Sequence, residues 1–349
     1  MSSQGQSQGT GQPSNRLLQG PPYLITTVAT LGGTPVPSVD DPICGVLIAF
    51  FLASAIFNMT IYQINRKRNH KFLFSALFFG FSMARIVANA LRIAVGSAPT
   101  NVNLRIASQV LTNAGVILLF VVNLLFSQRI FRAHHPQLGW SKPVTLAFRS
   151  LLFSIIAMLI MSITVLVYGF YTIDPSVRSK LRTIQLFAVT YIAILAFIPA
   201  PITLLAILLP RKGPVENFGQ GSMQTKVRLV LFTSLLLAFG AGFRAGVAYM
   251  VRPATNPAWF HHKACFYLFN FGIEIIVVYS YALLRFDRRF HIPNGSSDPG
   301  DYSQAQDTAI ALDGSGVRLN TGSEETVIDK DEARREGADV QALDKRDRA

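Results

Sequence analysis

Residues 72–95 read FLFSALFFGFSMARIVANALRIAV. As an α-helix this stretch would extend about 36 Å at 1.5 Å per residue, enough to cross the roughly 30 Å hydrocarbon core of a bilayer. It also carries Arg85, Asn89 and Arg92, whose spacings of four and seven place all three on one helical face. An arginine at the centre of a membrane helix costs roughly 2.5–3.5 kcal/mol on insertion scales, so it turns toward protein or water rather than lipid. That face demands a wall of other helices behind it.

The rest of the chain supplies the wall. Further apolar runs at about 43–64, 106–126, 145–171, 184–209, 229–251 and 264–284 predict an all-α membrane protein, a seven-transmembrane-helix bundle occupying residues 42–290. Polar segments at 1–41 and 291–349 flank it and read as disordered tails, since neither has the apolar content to build a core. Half of the 349 residues are apolar and only 15% are charged, well below the roughly 25% of a typical soluble domain. The first 22 residues, rich in Gly, Ser and Gln, lack the basic-then-apolar pattern of a secretory leader.

Charge is segregated along the chain. Residues 1–294 hold 25 Lys/Arg and six acids, whereas 295–349 hold seven Lys/Arg and 13 acids. The basic residues cluster in short loops between apolar runs, which is how topology is encoded, and no basic face with interleaved aromatics points to nucleic acid. The loops at 65–71, 127–149 and 210–228, with Arg285–Arg289, carry 15 Lys/Arg; the other side carries seven. The positive-inside rule then expects the N-terminus outside and the C-terminus inside. The expected location is a multi-pass protein of the plasma membrane, in contact with its lipids.

Ionisable residues within spans are functional-site candidates by default. Arg85 in span two, Arg244 in span six and Glu274 in span seven, with Asn270 one turn from Glu274, all fall in the middle-to-outer part of the membrane. Glu274 is expected to pair with Arg85, with Arg244 as the alternative partner. Arg92 is expected near the outer interface, where its stem can snorkel. Two readings stand. The polar groups form a buried network that fixes helix register, or the surplus of arginines leaves a cationic pocket between spans two, six and seven. Such a pocket would suit a small anionic or lipid-like ligand, because guanidinium forks onto carboxylate and phosphate oxygens.

Three other features bear on function. Pro199 and Pro201 interrupt span five and could act as a hinge, since each removes a backbone donor. Cys44 and Cys265 both begin spans on the outer side, where a disulfide could form if geometry allows. The histidines, including His134-His135 and His261-His262, lie in loops or past span ends without the spacing of a metal site. No nucleophile elbow, phosphate loop or dinucleotide fingerprint occurs, so neither an enzyme nor a bound cofactor is expected.

The outside N-terminus, seven spans, basic first inner loop, Arg85-x-x-x-Asn89-x-x-Arg92 stripe and Asn270-x-x-x-Glu274 pair together resemble a fungal family of uncharacterised seven-span membrane proteins. That family is labelled family C-like G-protein-coupled receptor. The resemblance covers residues 42–290 and implies a receptor-like protein that senses a small or lipid-like ligand and meets a cytosolic signalling partner at its basic inner loops. Rhodopsin-like marks are missing: span three ends Ser127-Gln128-Arg129 with no preceding acid, and span seven has no Asn-Pro-x-x-Tyr. The chain is also similar in size and span number to fungal lipid-translocating exporters, which implies a lipid or amphiphile translocator as the alternative. The acidic-glycine-tyrosine-arginine motif of that family is absent, and Arg244 after Gly240 and Gly242 is its nearest echo.

Overall fold

The computed structural model describes residues 20–23, 27–67, 72–211, 213–293 and 295–303. The tail segments 1–19 and 304–349 and the stretch 68–71 of the first basic loop lie outside the described residues. Seven helices are long and apolar enough to cross a membrane: Pro37–Lys67, Phe74–Ser97, Val102–His134, Lys142–Tyr171, Pro175–Leu208, Met223–Tyr249 and Lys263–Leu283. They are called spans one to seven below. Among the described residues there is no β-strand, only one isolated bridge between Val28 and Pro253.

Most helices outrun their apolar cores, and local chemistry says why. Residues 172–183 read as a polar loop, yet span five starts within them. Asp174 is an N-cap whose side chain accepts the Ser176 amide at 2.8 Å, and Pro175 follows at the first helical position, where its fixed φ favours helix and its missing N–H costs nothing. These amide contacts hold the exposed Asp174 carboxyl below the usual carboxylate range. Ser222 caps span six in the same way, accepting from Thr225. Span one begins at Pro37, so residues 37–41 are helical rather than part of a disordered tail.

Three spans are irregular along their length. Span three runs as Val102–Gly115 and then Ile117–His134. Span five breaks after Phe197 and restarts at Pro199, because a proline in mid-helix forfeits a donor and crowds the preceding turn. Span seven contains a π-helical turn at Leu268–Gly272, a device that often marks functional positions.

Spans one and two pack along their length, as do spans five and six and spans two and three. Span four is peripheral, with Phe153, Ile156 and Ile160 exposed on its outer surface, as a lipid-facing helix requires. The half of the bundle nearer the C-terminus is filled with aromatic rings. Phe126 stacks on Phe290 at 4.1 Å and 11°, and packs edge-on against Tyr281 at 5.4 Å; Phe78 contacts Tyr281 and Phe286.

Segments outside the spans close both ends. At the N-terminal end, residues 27–36 form a strap. Ala29 N–H donates to Arg252 O at 2.9 Å, Ala254 N–H to Thr27 O at 3.0 Å, and Gly32 N–H to His261 O at 3.0 Å. At the C-terminal end the chain turns sharply at Arg285, which adopts a left-handed φ of 49°. Its guanidinium grips Asp287 through two 3.0 Å bonds. Burial alone would raise the Asp287 carboxyl, but Arg285 and Asn65 bring it below its ordinary value. The chain then folds back over the bundle. Arg129 donates to Phe290 O, and the buried Tyr302 ring meets Trp140 and Phe218, each at 5.6 Å. Residues 291–303, read as part of a disordered tail, are thus partly docked, because Tyr302 provides an apolar anchor among polar neighbours.

This return can be checked by fluorescence. In a Trp259→Phe background, which leaves Trp140 as the emitter, Tyr302→Ala is expected to shift tryptophan emission to longer wavelength as water reaches the indole. An unchanged spectrum would contradict the docked ring.

Candidate functional site

Toward the N-terminal face, charged residues gather in two ion-paired networks and one cavity. The first network centres on Arg85, whose side chain is wholly buried and ion-paired to the equally buried Glu274. Nη1 also donates to Leu111 O at 3.0 Å and Thr112 O at 2.8 Å, and the guanidinium lies 5.4 Å from the ring centres of both Phe81 and Phe271. Span three supplies those carbonyls because of its break. In a continuous helix Thr112 O would receive the Val116 N–H, but that N–H turns to Ala114 O. Gly115 makes the approach possible, since a Cβ there would sit 2.8 Å from Arg85 Cζ. Asn89 donates to Arg85 O at 2.8 Å, so it braces its own helix.

The second network lies one and a half to two turns further toward the N-terminal face. Arg92 does not snorkel; it is buried. It pairs with Asp40 at 2.9 Å, donates to Tyr267 Oη at 3.1 Å and to Gly32 O at 3.0 Å, and lies 3.9 Å from the Phe266 ring centre. Asp40 also pairs with Lys263 and accepts from Tyr267 Oη at 2.5 Å. Asp40, with no exposed surface, provides the counter-charge from the first turn of span one, so Arg92 has no need of the interface. Asp40 falls in the 1–41 segment that reads as tail and Lys263 counts only as loop charge, so the sequence alone does not bring them to Arg92.

Cys44 and Cys265 are both free thiols. Cys44 Sγ lies 3.3 Å from Tyr267 Oη, while Cys265 Sγ faces Trp259 O at 3.8 Å, so the bridge left open by the sequence is not formed. Among the described residues no three His, Cys, Asp or Glu side chains gather as a metal site would require.

The cavity has a volume of about 440 Å³ and lies between the strap and spans two to seven, a size that suits one drug-sized molecule. Arg92, Arg105, Arg182 and Arg244 line it, and among the described residues no Asp or Glu does. Asn270 lines it as well, but Arg85, Asn89 and Glu274 do not. The pocket expected around Arg85 between spans two, six and seven is therefore displaced toward spans three to six, because Glu274 and the span-three carbonyls have already claimed Arg85.

The lining cations differ in how far they are satisfied. Arg92 is neutralised by Asp40. Arg182 donates to Ala248 O at 3.1 Å. Arg244 reaches only Phe269 O and Asn270 Oδ1, both at 3.5 Å and both on the π-turn of span seven. Among the described residues no carboxylate lies within ion-pair distance of Arg105, Arg182 or Arg244. Among the described residues, three buried polar atoms on the wall find no hydrogen-bond partner: Arg105 Nε, Ser162 Oγ and His261 Nδ1. Arg105 and Arg182 were counted in the sequence only as loop charge; their place one to two turns inside helices was hidden by the unrecognised extensions of spans three and five. An adjoining space of about 550 Å³ between the strap and residues 254–263 shares Arg105 and His261 with the cavity.

A family model described as a protein of unknown function, DUF3112, matches residues 211–291. The match covers spans six and seven and their flanks, and includes Arg244, Asn270 and Glu274. It carries no receptor description and no indication of fungal origin. Neither a search of curated proteins nor one of solved structures finds a significant match. The chain is thus a multi-pass, all-α membrane protein with a segment like that uncharacterised family.

Two mutational outcomes follow from the ion-paired networks. Arg85→Leu and Glu274→Leu alone should each destabilise the purified protein by about 3–5 kcal/mol, because each strands a buried charge, and the double variant should recover much of the loss. Thermal melting in one detergent reads this, and additive losses would refute the pairing. Gly115→Ala should lower the melting temperature despite the better helix propensity of alanine. Gly80→Ala, where a Cβ meets nothing within 4 Å, should leave it unchanged or raise it.

Proposed function

We propose that this chain is a receptor-like membrane protein that admits a small anionic or lipid-like ligand to the cavity at its N-terminal face. The observation that carries the reading is a space lined, among the described residues, by four arginines and no carboxylate, in which three of those cations have no carboxylate within ion-pair distance. Low-dielectric surroundings magnify the attraction of such a cluster for an anion. The bias of basic residues toward the C-terminal loops favours an outward-facing cavity. The role is binding, not catalysis.

Sensing is favoured over passage by the packing below the cavity. The rings of Phe78, Phe126, Tyr281 and Phe286 fill the path toward the C-terminal face. A ligand acts on such a bundle only through unequal affinity for two arrangements; the interrupted span five at Pro199 and Pro201 and the π-turn beside Arg244 are places where regular α-helical hydrogen bonding is broken. The interruption of span five is also what a translocating reading would use.

Octyl phosphate is expected to raise the melting temperature of the purified protein, with octanol giving little effect. Arg105→Gln and Arg244→Gln should each weaken the octyl phosphate response at least tenfold. Equal stabilisation by octanol, or full response in both variants, would refute an anion site. Transfer of labelled octyl phosphate across proteoliposomes at a rate that depends on Arg244 would establish translocation in place of sensing.

A further inference from the structure

Charged and polar groups line the mouth and middle of the cavity beside apolar ones, whereas its floor is apolar, and that contrast identifies the ligand class more closely. This inference rests on the anion-accepting reading above and deepens it. Arg105 is the fourth residue of span three and Arg182 the eighth of span five, so both stand near the mouth. Below them come Gln109, Thr112, Asn113 and Gln185, with Ser162 from span four. The deepest wall is apolar: Val116 and Ile117 at the break of span three, Leu159 of span four, Val189 and Ile192 of span five, and Ala241 of span six. Ile192 lies ten residues past Arg182 on the same helix, about 15 Å further in.

A free inorganic anion would gain nothing from that floor, and a wholly apolar molecule would leave Arg105 Nε and Ser162 Oγ unanswered. The volume of about 440 Å³ matches one compact molecule. We infer that the cavity takes a single-chain amphiphile tail first. Its carboxylate or phosphate head sits at Arg105 and Arg182 with Arg244 part-way down the wall, and its alkyl chain reaches the floor at Ile117, Leu159 and Ile192. His261, on the mouth side with Nδ1 unpartnered among the described residues, is placed to donate to the head from above in its Nδ1–H tautomer.

The test uses the full-length wild-type protein in nanodiscs, with empty nanodiscs as the partition control, and alkyl phosphates of four, six, eight and ten carbons. Burial of each methylene should tighten the dissociation constant about fourfold, until the floor is reached and the series flattens. The corresponding alkyl carboxylates should follow the same slope, and their relative affinity tells which head the mouth prefers. Orientation is read with a terminally brominated octyl phosphate. In a Trp140→Phe/Trp259→Phe background, Ile192→Trp should be quenched strongly and Val28→Trp, at the strap, weakly. An affinity that ignores chain length while still requiring the charged head would overturn the amphiphile and leave the anion site standing. Loss of the head requirement would overturn both. Quenching at Val28→Trp rather than Ile192→Trp would overturn the tail-first orientation.

Discussion

An arginine and a glutamate that cannot be left alone in hydrocarbon set the arrangement of this bundle. Arg85 and Glu274 sit on spans two and seven, and each is buried almost completely. Removing either charge from water is costly unless a partner and further hydrogen bonds replace the lost hydration. The partner alone is insufficient, which explains the course of span three. Its helix is interrupted beside Gly115, its carbonyls turn to Arg85, and the side chain of residue 115 is reduced to a hydrogen atom. Three spans are thereby fixed in depth and rotation by one guanidinium.

The same principle divides the remaining charges. Arg92 finds Asp40, Lys263 joins them, and Tyr267 closes the group. These contacts tie the start of span one, the end of span two and the start of span seven to the strap at Gly32. Arg105, Arg182 and Arg244 have no carboxylate within ion-pair distance among the described residues. The difference between structural and available cations is thus a matter of who stands opposite. Their exposure to the membrane interior alone does not distinguish them.

The helical bundle was legible in the sequence because a membrane demands long apolar helices, and composition reports them directly. The Arg85–Glu274 pair was legible for a related reason: few charges lie inside spans, so their partners are few. What escaped were features that depend on helix ends. Asp174-Pro175 carries the start of span five outward by about nine residues from the apolar run, and turns Arg182 from a loop charge into a wall of the cavity. Asp40 belonged to a segment that read as tail, and without it Arg92 seemed to need the interface. The break in span three left no proline to announce it, since Gly115 and Val116 are ordinary residues in a membrane helix. Cavity position is a sum of such small displacements, and no local pattern encodes it.

The docked turn at Tyr302 has a consequence for the basic groups beneath it. Its ring packs against Trp140 and Phe218 and lies within electrostatic reach of Arg129 and Arg132. The end of the bundle is thus roofed by its own chain at this point. A soluble partner seeking those two arginines would first have to lift the turn away.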